Sequence, residues 1–341
     1  MKIYKFVFLL LLILNTACAN QNYSGRLFIA NWNVENLFDT VDDPETDDDS
    51  FLPESPRKWT ENRLETKLKN LSRVIKYMND FEGPDILGIE EVEHKFLLDK
   101  LVNSFLHDMN YKTLEYESPD RRGIDCALIY NADKLKLTDS EPLKVILPEG
   151  KTTRDILHAE FLLNNKIKLH VFVNHWPSRR EGLKKTEPKR IEAAKVLRKK
   201  VDELIEKDKN SRIVILGDFN DLPSNISISK ILGAKPYYCK NDTNVNWDSL
   251  YNLSYELFQQ GKGTYKYKTH WNMLDQIIVN GNLVSSEEIG YECNSFQIIK
   301  PEYMITKSSK HKGKPKPTYG GRKYLGGFAD HFPVAAEFNY R

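Results

Sequence analysis

Five stretches of this 341-residue chain end an apolar run in side chains that could bind or transfer something. The clearest is Ile213-Val214-Ile215-Leu216-Gly217-Asp218-Phe219-Asn220, where apolar residues run into a glycine, then into a carboxylate and a carboxamide two positions apart. Side chains alternate along an extended segment, so Asp218 and Asn220 face one spot at a sheet edge while Phe219 turns into the core. A plain turn is the alternative, because Asp and Asn favour turns. Similar endings recur at Asn33, at Glu91, at His175 and at the Asp330-His331 pair. Beside His175, the run Trp176-Pro177-Ser178-Arg179-Arg180 supplies two guanidinium groups suited to phosphate oxygens. Each cluster alone has a structural explanation; together they describe a polar rim gathered from several strands.

Such a rim needs strands behind it. Residues 26–33, 85–89, 127–130, 158–163, 168–175, 213–218, 273–279 and a last stretch ending at Phe338 read as strands, rich in apolar and β-branched residues. Glu90 and Glu91 follow the second of these, and alternation lets only one of them face the rim. Apolar residues at three- and four-residue spacings predict a helix over 60–78 capped by Thr60, and further helices cover 96–106 and 188–205. The acidic run at 42–49 reads as a solvated loop or a calcium site. The segment up to 263 carries no clear pattern, and the Lys- and Gly-rich stretch 305–323 reads as a flexible surface loop. Strands alternate with helices and no Pro/Gly/Ser linker divides them, so the expectation is one α/β domain over residues 23–341.

Composition narrows the partners. Lys and Arg number 50 against 48 acidic residues, a net charge of +2. Residues 1–19 read as a secretory signal, with Lys2 and Lys5 before an apolar run and the small residues Ala17-Cys18-Ala19 after it. Cleavage would remove both lysines and bring the net charge to zero, so any nucleic acid must be held by a local patch. Export is expected, either as a free protein or, since Asn15-Thr16-Ala17-Cys18 resembles a lipobox, with a membrane-anchoring lipid on Cys18. The other cysteines, Cys126, Cys239 and Cys293, lack metal-ligand spacing and allow one disulfide at most.

Taken in order, Asn31-Trp32-Asn33-Val34, Ile89-Glu90-Glu91, Asn174-His175-Trp176-Pro177, Gly217-Asp218-Phe219-Asn220, Leu274-Asp275-Gln276-Ile277 and Asp330-His331-Phe332-Pro333 resemble the endonuclease/exonuclease/phosphatase superfamily, which includes deoxyribonuclease I. The resemblance implies a four-layered α/β sandwich, two packed mixed β-sheets flanked by helices, that cleaves phosphoesters with Mg²⁺ or Mn²⁺; Ca²⁺ is a further candidate. It implies metal ligation by Glu91 with Asn33, and Asp330 as the other acidic residue of that centre. Hard oxygen donors of this kind suit Mg²⁺. Asp218 and Asn220 would orient the nucleophile and hold the scissile phosphate. His331 would activate water with Asp275 fixing its tautomer, and His175 would contact phosphate or protonate the leaving oxygen with Asp125 orienting it. Arg154, Asn174 and Arg179, with Arg180, would bind substrate. An exported nuclease acting on DNA is the expected activity, with a phosphatase or a sphingomyelinase-like phosphodiesterase as the alternative. Inositol phosphatases of the superfamily carry Cys-Asp-Arg where this chain has Leu274-Asp275-Gln276, which argues against that branch.

Overall fold

The structure, a computed structural model, describes residues 24–239, 245–308 and 311–341. The expected signal peptide and Cys18 lie outside the described residues. The early strands are β1 Gly25–Leu37, β2 Ile86–Val92, β3 Tyr111–Glu115, β4 Asp125–Asn131, β5 Leu135–Leu143 and β6 Ile156–Leu163. They are followed by β7 Ile167–His175, β8 Ile213–Asp218, β9 Ala234–Pro236, β10 Leu250–Asn252, β11 Tyr265–Tyr267 and β12 His270–Asn272. The last are β13 Asp275–Asn280, β14 Ile289–Tyr291, β15 Gln297–Ile298, β16 Tyr319–Gly320, β17 Lys323–Tyr324 and β18 Val334–Tyr340. The helices are α1 Glu61–Tyr77, α2 Lys95–Phe105, α3 Leu183–Lys207 and the short α4 Tyr255–Gln259 and α5 Gly281–Ser285.

Two large mixed sheets form, in the orders β14-β18-β1-β2-β4-β3, with β15 also on β18, and β5-β6-β7-β8-β13-β10-β9. Period-two alternation decides what each face meets. On β1, Leu27 and Ile29 point at the second sheet, where they meet a core that includes Phe161, Val171, Leu216 and Ile277. Phe28, Ala30 and Trp32 point the other way, onto Leu64 and Leu68 of α1 and Leu97 and Leu101 of α2. The outer face of the second sheet, with Phe172, Ile213 and Ile215, is covered by Ala193, Ala194, Leu197 and Val201 of α3. Helix, sheet, sheet and helix make the four expected layers, and each fully buried Leu, Ile or Val contributes roughly 1.5–3 kcal/mol.

Thr60 does precede α1, but its side chain makes no cap bond; its carbonyl accepts the Arg63 and Leu64 amides instead. Helix α3 starts at Leu183, ahead of the expected 188, because Pro188 lies inside the helix and not at its first position. The unpatterned region supplies β9, β10 and α4, which finish the second sheet. Within 305–323, residues 315–319 are not a free surface loop. Thr318 and Tyr319 are buried, the Thr318 amide donates to Glu35 Oε2, and Lys67 Nζ donates to the Thr318 hydroxyl. One disulfide joins Cys239 and Cys293, and Cys126 is free and buried.

Candidate active site

Parallel pairing of β1 with β2 and of β7 with β8 puts four strand ends on one edge of the sandwich. Antiparallel β13 and β18 bring their beginnings to the same edge. Register does the fine placement: His175 pairs with Asp218, and Asp218 pairs with Asp275, so three functional side chains share one rung of the second sheet. Gly217 is required there, since a Cβ would fall 2.1 Å from the Asn174 carbonyl oxygen of β7.

Simple alternation does not deliver Glu91. The register of β2 slips between Glu90 and Val92, and Glu91 adopts φ 67°, the left-handed region where a non-glycine residue is uncommon. This bulge sends Glu91 into the cavity while Glu90 stays fully buried, accepting a hydrogen bond from Asn31. Asn220 also has a positive φ, 50°, with its amide donating to Asp218 Oδ1. Backbone strain of this sort, on the order of 1–3 kcal/mol per residue, concentrates at functional sites.

A cavity of about 820 Å³ opens at this edge. Asn33, Glu91, His175, Asp218, Asn220, Asp330, His331 and Arg179 all line it. Asn33 Nδ2 donates to Asp218 Oδ2 at 3.1 Å and lies 3.4 Å from Glu91 Oε1. His175 Nε2 is 3.8 Å from Glu91 Oε1, and both His175 Nε2 and His331 Nε2 are 3.9 Å from Asp218 Oδ2. Asp275 lies just beneath, 2.8 Å from His331 Nδ1, and the Tyr265 ring covers His331 at 4.8 Å between centroids. Ligand atoms of Asp218, Asp275 and His331 come within 4.8 Å of one another. Because His331 Nδ1 is already engaged by Asp275, this trio reads as a proton-handling unit and not as a metal centre.

Charge is poised by burial. Burial pushes Asp218 up to about 6, with His331 opposing and Asp275 reinforcing. Asp330 is raised by burial, an effect that His331 relieves and Glu91 increases. Burial disfavours the His331 imidazolium, but the carboxylates of Asp275, Asp218 and Asp330 outweigh it and hold its pKa well above the usual histidine range. His175 goes the other way: burial, then Arg154 and Arg122, push it well below that range.

Three expected assignments are corrected. Arg154 does not face the cavity; its guanidinium is tied to Asp120 at 2.8 Å and to the carbonyls of His175 and Trp176. It therefore holds the backbone that carries His175. Asn174 is fully buried, donating to the Leu216 carbonyl and accepting from the Trp176 indole, so it ties β7 to β8. Asp125 does not orient His175: it accepts the Ser118 amide and groups with Glu115 and Glu117, while His175 Nδ1 has no protein partner.

Sequence reasoning also missed residues of the cavity wall. Glu35 lines it, its pKa raised to about 7 by burial and by Asp330. Lys67, fully buried on α1, donates to the carbonyls of Glu35 and Phe328 and has its own pKa lowered to about 8 by burial. A lysine in the apolar stripe of α1 was the available signal. Arg57 and Arg122 line the cavity as well, alongside the expected Arg179 and Arg180, and so do Tyr265, Tyr267 and Tyr319.

The family model described as Endonuclease/Exonuclease/phosphatase family matches residues 28–339. No curated protein matches the chain. Solved structures that it resembles include a humanized D. rerio TDP2, 16% identical with a TM-score of 0.57 over 92% of this chain and 99% of that one. The human Nocturnin catalytic domain is 16% identical, with a TM-score of 0.54 over 93% and 95%. A Bacteroides thetaiotaomicron mannosyl-6-phosphatase is 15% identical, with a TM-score of 0.57 over 92% and 99%. At these identities the likeness is one of fold.

Proposed function

The chain belongs to the endonuclease/exonuclease/phosphatase family of phosphoester hydrolases, and from that premise we propose that it is an exported, metal-dependent phosphodiesterase that hydrolyses nucleic acid, DNA foremost. One observation carries the choice of substrate. Arg57, Arg122, Arg179 and Arg180 line the cavity, and so does Tyr267, whose ring is exposed. Several guanidinium groups answer successive phosphates, and an exposed aromatic face answers a base, which is what a nucleic-acid strand presents and a lone phosphomonoester does not. The net charge near zero makes this patch the electrostatic attraction, as the sequence requires.

The donors fit a hard divalent cation. Glu91 and Asp330 offer carboxylate oxygens, with Asn33 at hydrogen-bond distance of Glu91, and the carboxylates stand close enough for Glu91 to raise the pKa of Asp330, a repulsion that a cation would relieve. Mg²⁺ or Mn²⁺ held there would neutralise charge on the phosphoryl oxygens.

The side chains divide the remaining work. Asp218, ionised above about pH 6, accepts the proton of the attacking water. His331, kept cationic by its carboxylates, gives its Nε2 proton to the leaving oxygen as the P–O bond breaks. On this reading Asp218, expected to orient the nucleophile, takes the proton, and His331, expected to activate water, gives one up. His175, kept neutral by burial, is a hydrogen-bonding partner for phosphate and not the proton source for the leaving oxygen.

The purified chain should nick plasmid DNA with Mg²⁺, and chelator should abolish nicking. Intact plasmid together with inorganic phosphate released from sugar phosphates would replace this reading by a phosphomonoesterase; phosphocholine released from sphingomyelin would replace it by a lipid phosphodiesterase.

A further inference from the structure

Past the catalytic bulge, the Glu93 amide donates to the Leu37 carbonyl at 3.0 Å and extends the β1–β2 ladder by one step. Glu93 is thereby brought beside Asp39, whose amide donates to Glu93 Oε2 at 2.6 Å. Ligand atoms of Asp39, Glu93 and His94 fall within 4.8 Å of one another, and none of these residues lines the catalytic cavity.

Two further observations point to a ligand. Glu93 is 1% exposed, yet its Oε1 has no hydrogen-bond partner. An orphaned buried carboxylate oxygen costs folding energy unless something outside the chain satisfies it. His94 is also set up as a ligand: Nδ1 lies 2.7 Å from Glu117 Oε1, which leaves Nε2 free for a metal, the carboxylate–histidine arrangement that orients metal-bound imidazoles. Asp48, likewise 1% exposed with an unpartnered Oδ1, adds its charge to the field at Glu93.

We propose that Asp39, Glu93 and His94 form a second divalent-cation site, which ties the chain just after β1 to the end of β2. The imidazole nitrogen favours a transition-metal ion such as Mn²⁺ over Ca²⁺, which takes oxygen donors.

Mn²⁺ titration of the chelator-stripped full-length chain, followed by calorimetry and by the free-Mn²⁺ electron-spin signal, tests it. In a Glu91→Gln background, one equivalent of Mn²⁺ should still bind. Adding His94→Ala should abolish that binding, and adding Glu117→Gln should weaken it by about 10–100-fold, with circular dichroism confirming that each variant is folded. Failure of Glu91→Gln to bind Mn²⁺, or unchanged binding after His94→Ala or Glu117→Gln, would overturn the proposal.

Discussion

His331 Nδ1 and Asp275 Oδ2 lie 2.8 Å apart, and the Thr264 hydroxyl donates to the same carboxylate oxygen. The aspartate is fully buried at the first residue of β13, so the imidazole tautomer is set by the sheet and not by a loop. Asp275→Asn should keep the fold and lower turnover by about 10²–10⁴-fold, the range of a misoriented acid-base group. Single-turnover kinetics on a labelled oligonucleotide would check this; loss of substrate binding alone would count against it.

The pH profile should be bell-shaped. Activity rises as Asp218 ionises through about pH 6 and falls once His331 loses its proton, well above the ordinary histidine range. Asp218→Asn should remove the acidic limb with most of the activity. Replacing His331 should remove the alkaline limb. Measurement of kcat/KM across pH with cation held in excess decides both.

Arg154 and Arg179 should separate cleanly. Arg154 forms an ion pair with Asp120 in which the side chains are 7% and 9% exposed. Arg154→Ala should destabilise the protein by about 3–5 kcal/mol, as the loss of one partner of a buried pair does. Arg179 lines the cavity, so Arg179→Ala should raise KM for DNA and leave the urea midpoint close to wild type. A raised KM for Arg154→Ala with unchanged stability would restore it as a substrate contact.

Asp125 gives a prediction about stability alone. Burial, against the Ser118 hydrogen bonds, raises its pKa to about 8, far above the roughly 3.9 of the unfolded chain. The folded state holds this proton more tightly, so the contribution is fully present below about pH 4 and is lost as pH rises toward about 8. Asp125→Asn should flatten that part of the Tm-against-pH curve and raise Tm at pH 8. An identical curve would remove Asp125 from the explanation.

The strands and the residues at their tips were legible because apolar runs that end in polar side chains are local patterns. Glu91 over Glu90 was legible only as a choice of one, since alternation cannot foresee the bulge that makes it. Arg154, Asn174 and Asp125 were misread for a common reason: sequence places them beside functional residues, and only burial shows that they brace backbone. Lys67, Glu35 and Tyr319 were invisible because the 305–323 segment folds back onto α1, a contact between positions about 250 apart with no sequence signature.

His175, Asp218 and Asp275 sit on one rung of three adjacent strands. Catalytic competence is thus welded to the interior hydrogen-bond lattice: it cannot be lost by degrees, and heating should extinguish turnover in step with the collapse of the β signal. The arginines sit on connections outside that lattice, and the tyrosines on the small hairpins β11–β12 and β16–β17. One unchanging reaction chamber can therefore be refitted with a new mouth.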